Sequence, residues 1–205
     1  MISTRLSTWI VGTTVFLVGG VAAAQTLGPT PTVSEELGDA SAMRLGVVLS
    51  PMPAGSFKGP AGASTDASFA FGVMPTFDFG INQFLFAGLA PQFIFNVMPD
   101  GATGDSATEL DLRARVGGVA KVADTVRLFG YAAPGYSIVM FPNKPMGVDN
   151  PSGFVLGFAA GSTLDLSPST YLSGELGYQV GFQAANSIDR KTNYFHIGVG
   201  VGFRL

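Results

Sequence analysis

The chain has 205 residues, 47% of them hydrophobic and only 12% charged, about half the charge share of roughly 25% usual in globular domains. With a formal net charge of −3, nothing suggests a basic nucleic-acid footprint. The absence of cysteine excludes disulfides, thiolate metal sites, a cysteine nucleophile and lipid attachment through an N-terminal cysteine.

Residues 1–24 have the make-up of a signal peptide. Arg5 supplies a positive n-region, residues 9–21 a 13-residue apolar core, and Ala22-Ala23-Ala24 ahead of Gln25 a small-x-small cleavage site. The apolar run is shorter than the roughly 20 residues of a spanning helix. Cleavage after Ala24 implies export and leaves 10 basic and 14 acidic residues, a net charge of −4. It also removes Trp9, the only tryptophan. Residues 25–41 read as a flexible leader: Pro29, Pro31, Glu35, Glu36 and Asp39 fall in it without periodicity.

From residue 42 onward, segments that alternate with a period of two take turns with breaks. This period is the mark of a strand, whose successive side chains leave on opposite faces. Segment one, 43–49, sets Met43, Leu45, Val47 and Leu49 against Arg44. A long break, 50–66, follows. Segment two, 67–79, sets Phe69, Phe71, Val73, Pro75, Phe77 and Phe79 against Gly72, Met74, Thr76 and Asp78. After the short break Gly80-Ile81-Asn82-Gln83, segment three, 84–97, sets Leu85, Leu89, Phe93, Phe95 and Val97 against Gly88, Ala90, Gln92 and Asn96.

The break 98–107 leads to segment four, 108–120, the clearest of the set. Glu109, Asp111, Arg113 and Arg115 share one face, and the other face carries no charge. A short break, 121–125, precedes segment five, 126–141, in which either parity could face outward. After 142–152, segment six (153–166) sets Phe154, Leu156, Phe158 and Leu164 against Gly157, Gly161, Thr163 and Asp165. The short turn Ser167-Pro168-Ser169 leads to segment seven (170–182), with Leu172, Leu176, Tyr178, Val180 and Phe182 against Ser173, Glu175, Gly177 and Gln179. After the break 183–193, the closing strand 194–205 sets Phe195, Ile197, Val199, Val201, Phe203 and Leu205 against His196, Gly198, Gly200, Gly202 and Arg204.

The breaks run long, short, long, short, long, short, long. That is the rhythm of an up-and-down barrel with external loops and tight periplasmic turns. The bulky apolar face then meets lipid, and the small or charged face looks inward. The expected fold is therefore all-β: an eight-stranded antiparallel up-and-down transmembrane β-barrel over 42–205, behind a cleaved signal peptide (1–24) and a periplasmic leader (25–41). Aromatic girdles are expected at both membrane interfaces. Phe77, Phe79, Phe84, Phe86, Tyr171 and Phe203 fall at the periplasmic ends of strands; Phe69, Phe95, Phe141, Phe154, Phe182, Tyr194 and Phe195 fall at the outer ends.

Gly80-Ile81-Asn82-Gln83 between aromatic strands, together with the closing strand 194–205, resembles the small outer-membrane β-barrel family of Gram-negative bacteria, the OmpA- and OmpX-like proteins. The resemblance covers 42–205. It implies residence in outer-membrane lipid and handling by the barrel assembly machinery during biogenesis. Members commonly end in Phe or Trp; this chain ends in Leu205, with Phe203 two residues earlier.

Eight strands leave an interior just wide enough for side chains to fill it. The inward ionisable set is Arg44, Arg113, Arg115 and Arg204 against Asp78, Glu109, Asp111, Asp165 and Glu175, with His196 beside them. This near-balance suits a packed polar core, because a buried charge without a partner costs several kcal/mol. The leading expectation is a non-enzymatic barrel with a structural or surface-interaction role, whose outward loops would carry recognition of an unidentified surface ligand. A narrow channel for ions or small solutes is the alternative. A lipid A-modifying enzyme would need a nucleophile or base beside His196, and Ser187 and Asp189 are linked to it by no motif. A secreted lipocalin-type barrel would need a polar exterior and an apolar cup. The run 100–105, with Asp100 and Asp105, lacks the ligand spacing of a calcium loop. No catalytic residue, cofactor, metal or nucleic-acid partner is expected.

Overall fold

The computed structural model describes residues 43–59, 62–143, 149–185 and 188–205. The signal peptide, the leader, Trp9 and Ser187 lie outside the described residues. Eleven strands are present among the described residues: β1 (Arg44–Met52), β2 (Ala54–Lys58), β3 (Ser64–Asp66), β4 (Ala70–Gly80), β5 (Leu85–Leu89), β6 (Gln92–Val97), β7 (Ala107–Lys121), β8 (Val126–Met140), β9 (Ser152–Asp165), β10 (Thr170–Ala185) and β11 (Ile188–Arg204). They form eight staves, because β1 continues as β2, β3 as β4 and β5 as β6. Every pairing is antiparallel, and β1 pairs with both β4 and β11, so the ring closes. The closing ladder runs from Arg44↔Arg204 to Leu49↔Val199. Beside it, the Leu205 backbone N–H donates to the Met43 carbonyl at 2.8 Å.

Local chemistry makes the three short turns. After Gly80, the Asn82 side-chain oxygen accepts the backbone N–H groups of Phe84 at 2.8 Å and Leu85 at 2.9 Å. A short polar side chain of this kind substitutes for a backbone acceptor in a tight turn. Ser167 does the same at the β9–β10 turn, accepting the Thr170 N–H at 3.0 Å. Between β7 and β8, Val122 N–H donates to the Val126 carbonyl at 3.0 Å. These turns and the barrel's two chain ends lie at one rim, the turn end. The opposite ends of the strands form the other rim, the loop end.

The described faces follow the period of two. On β11, Phe195, Ile197, Val199, Val201 and Phe203 are exposed, while His196, Gly198, Gly200 and Gly202 are buried. The same inversion holds around the ring: Leu45, Leu89, Leu112, Leu128, Phe158 and Leu176 all lie on the outer surface, whereas Asp78, Glu109, Asp111, Arg113, Arg115 and Glu175 are buried inside. The open parity of residues 126–141 resolves here. Arg127, Phe129, Tyr131, Ala133, Ser137 and Val139 face inward, and Leu128, Pro134, Tyr136 and Met140 outward.

Four features differ from the sequence reading. The described residues of 50–66 and 183–193, expected as loops, are largely strand: β1 runs on through Met52, β2 pairs with β11, β3 pairs with β2, and the β10–β11 ladder continues to Ala185↔Ile188. Backbone pairing with an existing neighbour carries the ladder past the point where apolar alternation stops. The alternation also slips at two places. Asn96 adopts φ 63°, and the β6–β7 register shifts between Ile94 and Val97. This bulge turns Asn96 outward, where its side-chain amide donates to the Phe69 carbonyl at 2.5 Å, and turns Val97 inward. Across Pro53 the register against β11 moves by one residue, from Leu49↔Val199 to Ala54↔Phe195, so the inward face passes from Met52 to Phe57. Finally, Phe86, Tyr171 and Tyr194 are not girdle residues. All three are buried inside the barrel, where large rings fill the space that facing glycines leave.

Val199 lies midway along the spanning part of β11 and is 61% exposed. Val199→Arg is expected to destabilise the barrel by about 2–4 kcal/mol in lipid vesicles, the cost of a cation on the lipid face at the bilayer midplane. Urea titration of the reconstituted protein measures it; an ordinary wet surface site would move by less than about 0.5 kcal/mol.

Candidate functional site: a filled interior beneath a loop-end cup

The interior is built in layers. At the turn end, Asp165 on β9 accepts from Arg127 on β8 and from Arg204 on β11, drawing three staves together. Arg204 also lies over Tyr171, 5.1 Å from guanidinium carbon to ring centroid. One level further in, Arg115 grips Asp78 with two donors; its Nε donates to Oδ1 at 2.6 Å. Both side chains are buried, and such a bidentate pair is strong because its geometry is fixed. Arg44 faces Asp78 across the β1–β4 ladder, its guanidinium 5.8 Å from the Phe86 ring. Arg115 shares that layer, its guanidinium 5.6 Å from the Phe86 ring and 5.1 Å from Tyr131.

Above this lie Glu175 and His196. The Tyr131 hydroxyl donates to Glu175 Oε1 at 2.9 Å, and His196 Nε2 lies 3.4 Å from the same oxygen. His196 is 2% exposed, and its ring lies across Gly177 on β10, where a Cβ would collide with it. The imidazole is thus enclosed in mid-barrel. Asp189 is exposed on the loop-end hairpin, and Ser187 lies outside the described residues. No hydrolytic constellation assembles around His196 among the described residues.

The next layer is bonded mainly through amides. Arg113 donates to Gln92 on β6, to Gln179 Oε1 on β10 at 3.2 Å and to Met74 Sδ on β4 at 3.1 Å. Gln179 in turn donates to Asp111 Oδ2 at 3.0 Å. Closer to the loop end, Gln183 donates to Glu109 Oε1 at 2.9 Å and to Ser137 Oγ at 2.8 Å, and Ser137 donates to the same carboxylate oxygen at 2.8 Å. Glu109 and Asp111 therefore bond to uncharged partners. The Gln179 amide, bonded to Arg113 on one side and Asp111 on the other, spreads that charge pair across the lumen.

The polar layers end in an apolar plug of Met52, Phe57, Ala70, Ile94, Val97, Ala107, Val139 and Tyr194. Arg190 covers it, 4.4 Å from the Phe57 ring. Over the plug, an open cup of about 390 Å³ is lined by Phe57, Val97, Pro99 and Phe141, with Lys58, Arg190, Asp105 and Asp189 as its charged members. In contrast, the cavity among Arg44, Asp78, Arg115 and Glu175 is about 30 Å³, room for about one water molecule.

Several members of this network were not in the sequence-derived set. Arg127 lay in the strand of open parity, yet it is that strand's only charged residue before 141, and an isolated charge on an apolar strand fixes the inward face. Arg190 stands in a segment without apolar alternation, so its sequence predicts a loop and gives no inward face. Gln92, Gln179, Gln183 and Ser137 carry no charge and give no sequence signal beyond inward parity. In the run 100–105, Asp100 N–H donates to the Asp66 carbonyl at 2.8 Å and Asp105 accepts from Asn143. No group of metal-ligating side chains assembles among the described residues.

No family model matches the sequence. No curated protein is significantly similar to it. Solved structures do resemble its fold. Neisserial surface protein A is 11% identical over 80% of this chain and 97% of its own, with a TM-score of 0.54. The outer membrane protein OprG from Pseudomonas aeruginosa is 13% identical over 80% of this chain and 95% of its own, with a TM-score of 0.51. The chain thus has the fold of the small outer-membrane β-barrels.

The Asp78–Arg115 pair gives a direct measure of the network. Asp78→Ala is expected to cost about 3–5 kcal/mol, because it leaves the Arg115 guanidinium buried without its carboxylate. The double variant Asp78→Leu/Arg115→Met is expected to recover most of that loss. Urea unfolding in lipid vesicles, run on wild type and both variants, checks the order.

Proposed function

We propose that the chain is an integral outer-membrane β-barrel with a structural and surface-interaction role, its loop end outside the cell and its turn end in the periplasm. One observation carries this reading: an apolar exterior on every stave encloses an interior filled with bonded polar side chains. Water would leave the exterior unsatisfied, and a bilayer covers it. The names of the two similar structures, a surface protein and an outer membrane protein, support the same location. Partners follow from it. Membrane lipid surrounds the belt, and the barrel assembly machinery inserts the chain. A surface ligand would meet the loop end, where the apolar cup and the extended β2–β3 and β10–β11 hairpins stand.

The inward set Arg44, Asp78, Glu109, Asp111, Arg113, Arg115, Asp165, Glu175, His196 and Arg204 serves in this reading as the packing of the barrel. Layers of arginine, carboxylate and amide bonded across the lumen oppose a conducting path, and burial of His196 opposes chemistry on lipid. Folded protein in detergent is expected to run with altered mobility until boiled, and in planar bilayers to give no conductance steps. Reproducible steps from the heat-modifiable form would replace this reading with a narrow channel. Incubation with lipid A is expected to give no modified product by mass spectrometry, from wild type and from His196→Ala alike. Product from wild type that disappears in His196→Ala would establish an enzyme.

A further inference from the structure

One ladder row crosses the outer surface at the loop end: Phe154 on β9, Phe182 on β10, Lys191 on β11 and Lys58 on β2. Phe154 and Phe182 are exposed at the upper edge of the apolar belt. Lys191 and Lys58 stand directly opposite each other in the β2–β11 pair. Like charges opposed in this way destabilise a ladder. No carboxylate among the described residues forms an ion pair with either ammonium. Lys191 instead leans on its cross-strand neighbour, its Nζ 5.3 Å from the Phe182 ring centroid. Both lysines line one open cavity of about 380 Å³ with Gly59, Phe182 and Ala184. Arg190 also borders it, and Asp189 is the single carboxylate of its lining. The cavity therefore carries an excess of positive charge beside an aromatic floor.

We propose that Lys58 and Lys191 together bind the phosphate of an anionic lipid headgroup at the outer boundary of the membrane. A negative group between the two ammonium ions converts their repulsion into two favourable contacts. The position selects a lipid over a soluble anion. Exposed aromatic rings mark the depth at which headgroups lie, and Phe182 is one of these rings and touches one of the lysines. A long lysine stem can follow the apolar wall while its ammonium reaches the headgroup layer. This inference rests on the outer-membrane reading above, because a spanning barrel is what brings this rim to headgroup depth.

Native mass spectrometry of the full chain in detergent, with phosphatidylglycerol and phosphatidylcholine in equal amounts, tests it. Wild type is expected to retain phosphatidylglycerol preferentially. Each of Lys58→Gln and Lys191→Gln should weaken that preference about fivefold, the effect of one cation near an anionic lipid surface, and the double variant should abolish it. Lys121→Gln, at the turn end, should leave it unchanged. Excess inorganic phosphate should not displace the bound lipid; complete displacement would show an anion site without lipid selectivity and overturn the proposal. Equal preference in wild type and the double variant, both heat-modifiable, would overturn it while leaving the barrel intact. Wild type that neither binds detergent nor shows heat-modifiable mobility would remove the outer-membrane reading and this inference with it.

Discussion

The ladder between β1 and β11 leaves neither strand with an open edge, and inside a bilayer that closure is obligatory. Hydrocarbon offers no partner for an exposed N–H or C=O, and each unsatisfied group there costs several kcal/mol. Pairing from Arg44↔Arg204 to Leu49↔Val199 supplies those partners. Once the ring is closed with eight staves, its diameter is set, and so is the volume the inward side chains must share. The inverted faces follow. Lipid accepts the bulky apolar residues without penalty, and the lumen is too narrow for them on every strand.

Within that fixed width, long and absent side chains are matched across neighbouring staves. A Cβ on Gly200 would lie 2.6 Å from Ser173 Oγ, and one on Gly202 would enter the Tyr171 ring. The glycine face of β11 is thus the complement of the polar and aromatic face of β10. The same logic explains why charge survives in the lumen. Asp165 satisfies Arg127 and Arg204 together, Asp78 satisfies Arg115, and Gln92 and Gln179 hold Arg113 between them. Each bond spans different staves, so the network ties the wall to itself across the lumen as well as along it. The two barrel ends are finished differently: arginine and carboxylate at the turn end, an apolar plug under Arg190 at the loop end.

The architecture was legible in the sequence because strand alternation and break length report directly on geometry. Phe195 to Leu205 displays both faces without ambiguity, and the alternation of long and short breaks orders the staves. Site residues were legible where charge marked the inward face, as in Glu109, Asp111, Arg113 and Arg115. Three kinds of feature were not. Bulges at Asn96 and Pro53 change parity without a composition signal. Strand continuation through 54–58, 183–185 and 188–192 is imposed by the neighbouring ladder, whatever the local pattern of apolar residues. Aromatic residues are ambiguous because lipid interface and lumen both accept them. Phe182 and Tyr171 look alike in sequence, and only the parity of their strand separates a girdle ring from an interior one.

The central claim is that β11 presents one face to hydrocarbon and the other to a filled, enclosed lumen. Spin labels placed singly at residues 195, 196, 197, 199, 201 and 203, in protein reconstituted into lipid vesicles, test it most directly. Collision with oxygen, which concentrates in the bilayer, is expected to peak at 195, 197, 199, 201 and 203. A label at 196, the one inward position of this stretch that already carries a large side chain, should be immobilised and shielded from both oxygen and a water-soluble relaxation agent. A uniform profile, or odd-numbered positions that respond to the aqueous agent instead of oxygen, would contradict the account.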